Sequence, residues 1–66
     1  MYYKTIIVDR TFAAGVAVGS LRAFLAHSGA GEATVVRAIE GGMEVEIAVH
    51  NPLTMRYAEE QLAAYV

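Results

Sequence analysis

From Met43 to Val49 the chain alternates without a break. Met43, Val45, Ile47 and Val49 share one parity, and Glu44, Glu46 and Ala48 the other. A repeat of two marks a strand with one buried face and one open face. The opening segment Tyr2–Asp9 is rich in β-branched and aromatic residues and predicts a first strand. It sets Tyr2, Lys4, Ile6 and Val8 on one face and Tyr3, Thr5 and Ile7 on the other. Thr34–Ile39 predicts a second strand, joined to the third by a hairpin at Gly41-Gly42. In that second strand Thr34, Val36 and Ala38 are expected inward and Val35, Arg37 and Ile39 outward, because the opposite choice buries Arg37.

Two stretches follow a helical repeat instead. After Thr11, a candidate N-cap, Ala14, Val18, Leu21 and Leu25 recur at spacings of three and four, with Ala17 and Phe24 beside them. His27-Ser28-Gly29 ends this helix, with Gly29 expected in the left-handed conformation. Gly15 and Gly19 interrupt it; the expectation is that they weaken the helix or mark a close approach to the sheet. Asn51-Pro52 starts the second helix, with Asn as N-cap and Pro at the first helical position. Its apolar stripe is Met55, Ala58, Leu62 and Tyr65.

The order is β-α-β-β-α. A right-handed crossover makes the first two strands parallel, and the third inserts between them, giving a three-stranded sheet of order 1-3-2. Both helices then cover one face. This is an α+β fold, ferredoxin-like but lacking a fourth strand.

Composition narrows the function. With 66 residues, the chain makes one domain, residues 1–66. It has no cysteine, which excludes disulfide scaffolds and thiolate metal sites. Five Lys+Arg against seven Asp+Glu argue against a nucleic-acid-binding role. The longest weakly polar stretch, Thr11–Leu21, is about half of the roughly 20 residues a membrane span needs, and a strand rather than a basic leader precedes it. A cytoplasmic protein is expected. The apolar content of 56% is mostly small side chains, so a lone copy is short of burial and a partner is expected.

Candidate chemistry is sparse. Asp9 lies at the opposite end of the sheet from His27 and His50, and Ser20 is far from both histidines, so no nucleophile–base pair assembles. No catalytic role is expected. His27 and His50 share one end but lack further ligands, so no metal site and no cofactor are assigned. Arg10-Thr11 reads as a capped helix start with a solvated arginine.

The segments KTIIVDRTFAAG, SGAGEATV, the glycine hairpin before MEVEIAV, and HNP together resemble the small heavy-metal-associated domains of copper and mercury chaperones. The resemblance spans nearly the whole chain and implies the same β-α-β-β-α fold pattern. That family carries two metal-binding cysteines after its first strand. The matching positions here are Phe12 and Gly15 counted forward, or Ala13 and Val16 counted backward from Ser28-Gly29. Neither register holds a ligand.

The uncovered sheet face is the candidate site. It is expected to carry Tyr3, Thr5, Ile7, Val35, Arg37, Ile39, Glu44, Glu46 and Ala48, with Arg37 paired to Glu44 or Glu46. Its apolar members Tyr3, Ile7, Val35, Ile39 and Ala48 are expected to form a joined patch. The function expected is a non-enzymatic interaction module. Its partner is a second copy or another protein, reached through this face or the edge of the first strand. The alternatives are a degenerate metal-chaperone-like domain and a small regulatory ligand-binding subunit.

Overall fold

A computed structural model describes all 66 residues, Met1–Val66. Strand β1 (Tyr2–Asp9) leads into helix α1 (Phe12–Ser28), followed by β2 (Gly31–Ile39), β3 (Gly42–Val49) and helix α2 (Pro52–Leu62). A short 3₁₀ turn, Ala63–Tyr65, closes the chain. The sheet order is β1-β3-β2, with β3 antiparallel to both neighbours.

The helix ends are built from the residues that the sequence marks for them. The Thr11 hydroxyl accepts a hydrogen bond from the Ala14 amide at 3.1 Å. At the other end Gly29 adopts φ 70°, its amide donates to the Ala26 carbonyl, and the Ala30 amide donates to the Leu25 carbonyl. This pair of bonds is a Schellman cap, which uses glycine because the left-handed turn penalises a Cβ. In α2 the Asn51 Oδ1 accepts from the Leu53 amide at 2.7 Å, and Pro52 fills the position that needs no donor.

The helices lie together on one face of the sheet. A single core of 13 residues joins Ile6 and Val8 of β1, Ala33 of β2 and Val45, Ile47 and Val49 of β3 to Ala14, Val18, Leu21 and Leu25 of α1 and Met55, Ala58 and Leu62 of α2. Every residue is aliphatic or Met, and three are Ala. All six aromatic side chains lie outside this core, with only Tyr65 packed partly against it.

Three sequence expectations are corrected here. β2 starts at Gly31, three residues before Thr34. Its first residue lies so close to β3 that a Cβ at Gly31 would run into the Ala48 carbonyl oxygen and stand 2.8 Å from the Val49 Cα. The hairpin loop is Glu40-Gly41 and not Gly41-Gly42, because Gly42 is already paired with both Asp9 and Ile39. Of these two glycines, only Gly41 takes a positive φ, 74°. Finally, Gly15 and Gly19 do not mark a close approach to the sheet, since a Cβ on either would meet nothing within 4 Å. Both face away from the core.

Candidate functional site

The strand pairing divides the sheet residues between its faces. Residues directly opposite in an antiparallel ladder project to the same side. The uncovered face therefore carries four cross-strand rows: Tyr3–Ala48–Glu32, Thr5–Glu46–Thr34, Ile7–Glu44–Arg37 and Asp9–Gly42–Ile39. Tyr3, Thr5, Ile7, Arg37, Ile39, Glu44, Glu46 and Ala48 stand where the alternation put them.

Val35 does not. It lies opposite Val45, whose side chain is in the core, so Val35 belongs to the helix-covered side, where it stays 45% exposed. Thr34, expected inward, lies opposite Glu46 and belongs outside. The cause is one extra residue. The ladder pairs Val35 with Val45 and then Arg37 with Glu44, so Val36 is an unpaired bulge. A bulge resets the parity of everything on one side of it. Arg37 and Ile39 stay outside, while Val35 and Ala33 lie inside.

The joined apolar patch therefore does not form. Tyr3 and Ala48 sit at one end of the face. At the other end, Ile7 and Ile39 close over Gly42, where an added Cβ would be 3.1 Å from Ile7 Cγ2 and 3.7 Å from Ile39 Cγ1. Between the two spots run Thr5, Glu46 and Thr34, and the ion pair Arg37 Nε–Glu44 Oε2 at 3.1 Å shares the row of Ile7. Four of the chain's seven carboxylates, Asp9, Glu32, Glu44 and Glu46, belong to this face against one arginine. It is an acidic surface with two small apolar spots.

The edges of the sheet differ from each other. β2 is broken by its bulge. β1 pairs with β3 along its whole length without a register shift, and its other edge has no partner strand. Beside that edge opens a groove of about 400 Å³ lined by Lys4, Thr5, Ile6, Ile7, Glu59 and Val66. The Lys4 ammonium lies 3.0 Å from the Glu59 carboxylate of α2.

The outer side of the helical layer was not singled out by the alternation of strands. Phe12 is 89% exposed and Val16 51%. Gly15, Gly19 and Ala23 are exposed with them. Where the helices meet, the rings of Phe24 and Tyr57 pack at 5.1 Å between centroids, tilted by 46°, and a groove of about 330 Å³ is lined by Phe24, Ser28, Ala30, Leu53, Thr54 and Tyr57. The signal was present in the sequence: Arg22 is the only Lys, Arg, Asp or Glu between Phe12 and Ser28. A surface helix normally carries a charged outer face.

No three His, Cys, Asp or Glu side chains come together in a metal-binding group. No buried side chain is polar or charged. No helix is long and apolar enough to cross a membrane. Compared with models of known families, with curated proteins and with solved structures, the chain matches none.

Proposed function

We propose that the protein is a non-enzymatic interaction module of the cytoplasm that associates with a second copy of itself through the free edge of β1. The observation that carries this reading is that edge: eight residues without proline or bulge, unpaired on one side and bordered by an open groove. Natural sheets protect such edges with charge, proline or a bulge. Here the one strand-interior charge, Lys4, is drawn onto Glu59 of the protein's own second helix. Pairing β1 with its two-fold mate satisfies both rows of free backbone groups and extends three strands to six. The order β-α-β-β-α supports a ferredoxin-like description in which the partner's strand occupies the place of the missing fourth strand.

Of the two geometries open to the sequence, edge pairing is favoured over face packing. Two copies meeting through the open face would set carboxylates against carboxylates, and like charges brought together oppose association. Sedimentation equilibrium tests the reading. The wild type should exceed the 7.1 kDa of one chain, and Thr5→Lys, which adds a charge at the edge on the side away from the core, should reduce that mass. A wild type that sediments as single chains at high micromolar concentration would sink the reading.

A further inference from the structure

We infer, on the edge pairing proposed above, that the two β1 strands join in one register: Ile6 meets the partner's Ile6 on the two-fold axis, and Thr5 lies opposite the partner's Ile7. The directions of the backbone groups come first. The His50 amide, at the end of β3, donates to the Ala30 carbonyl at 3.2 Å. The Ala48 carbonyl oxygen stands against Gly31 of β2. Even-numbered residues of β3 therefore turn their backbone groups toward β2, and alternation turns the odd-numbered ones toward β1. Opposite those odd residues lie Tyr2, Lys4, Ile6 and Val8. The Val8 carbonyl oxygen is accordingly 2.8 Å from where a Cβ on Gly42 would be. The amides and carbonyls left free at the edge are those of Tyr3, Thr5, Ile7 and Asp9. Pairing these with their copies keeps the helices of both chains on one side of the joined sheet.

Three registers use most of the free groups, and one uses all of them. With Ile6 on the axis, Tyr3 lies opposite the partner's Asp9 and Thr5 opposite the partner's Ile7, so no free residue is left over. With Thr5 on the axis, Asp9 runs past the end of the partner's strand, and with Ile7 on the axis Tyr3 does. Charge makes the same choice. With Thr5 on the axis, the two Lys4 residues are diagonal neighbours about 7–8 Å apart. With Ile7 on the axis, Lys4 stands opposite the partner's Arg10. Like charges so placed oppose pairing. With Ile6 on the axis, Lys4 lies opposite the partner's Val8, and the two lysines are offset by about 14 Å along the strands. Each keeps its 3.0 Å pair with Glu59 of its own chain. Ile6 also lines the groove beside the edge, so the two Ile6 side chains form an apolar floor where the grooves of both copies join.

Disulfide trapping tests the register, because the chain has no cysteine of its own. Thr5→Cys and Ile7→Cys each change an exposed side chain and leave the core untouched. The two proteins are oxidised with oxidised glutathione, separately and as an equal mixture, and mass spectrometry separates the cross-linked pairs. Residues opposite each other in a hydrogen-bonded pair are about 5.5 Å apart between Cα atoms, within disulfide reach. Like positions in this register are diagonal neighbours about 7–8 Å apart, past the limit of roughly 7 Å. The pair with one chain of each variant should dominate, each like pair staying below about a tenth of it. If Thr5→Cys or Ile7→Cys instead cross-links chiefly to itself, this register is overturned and edge pairing stands. If neither protein nor the mixture cross-links, edge pairing falls and the register falls with it.

Discussion

The two broad sides of this molecule are both open to solvent, yet they are chemically opposite. The sheet side has no cover and carries Asp9, Glu32, Glu44 and Glu46 around a single arginine. The helical side is itself the cover, yet its outer surface holds Phe12, Val16, Phe24, Leu53 and Tyr57 and almost no charge on α1. An uncovered sheet is the natural place to look for stickiness, because half of its side chains have nothing to pack on. Here that face is guarded by charge, and the unguarded surface lies on the other side. An exposed face is made adhesive by what its residues are, not by whether a layer is missing over it.

The largest test of this contrast attacks the core between the two sides. Leu21 of α1 and Ile47 of β3 are 3% and 0% exposed. Truncating either to Ala should cost about 2–5 kcal/mol, comparable to the whole stability of so small a domain. Denaturant melts of both variants check this. An unchanged midpoint for Leu21→Ala would remove that residue from the core and detach the helical side from the sheet.

Glycines then separate the sides by sign. Gly31 sits against the backbone of Ala48 and Val49, so Gly31→Ala must push two strands apart. The expected loss is about 1–3 kcal/mol. Gly15→Ala, on the open side of α1, meets no atom and exchanges a poor helix residue for the best one. It should gain about 0.5–1 kcal/mol. Thermal melts of the pair should move in opposite directions, and a loss at Gly15 would mean that the outer side of α1 is already covered within one chain.

The smallest expected effect lies on the acidic face. Arg37→Ala removes the exposed pair with Glu44 and should cost about 0.2–1 kcal/mol, less at high salt. Thr34→Lys, on the same face but on β2 and away from the free edge of β1, should leave the sedimenting mass unchanged if the copies pair through that edge. A fall in mass for Thr34→Lys would return the sheet side to candidacy and weaken the contrast between the two sides.

Local chemistry made much of this protein legible from its sequence. Thr11, Gly29, Asn51 and Pro52 mark the helix ends because caps are satisfied within a few residues of where they stand. The stripes Ala14–Val18–Leu21–Leu25 and Met55–Ala58–Leu62 and the alternation of β3 follow from helical and strand periods, and the core repeats them. Connection lengths and crossover handedness gave the strand order 1-3-2. What tertiary structure alone decided depends on partners distant in the chain. One extra residue at Val36 turns Val35 inward and Thr34 outward, and nothing in the run of β-branched residues around it signals a bulge. Gly15, Gly19, Gly31 and Gly42 look alike in a sequence. Two face open solvent and two are pressed against another strand, because a glycine's role is set by what lies opposite it. The distribution of charge between the two sides follows from that same pairing register, which exists only once the strands have met.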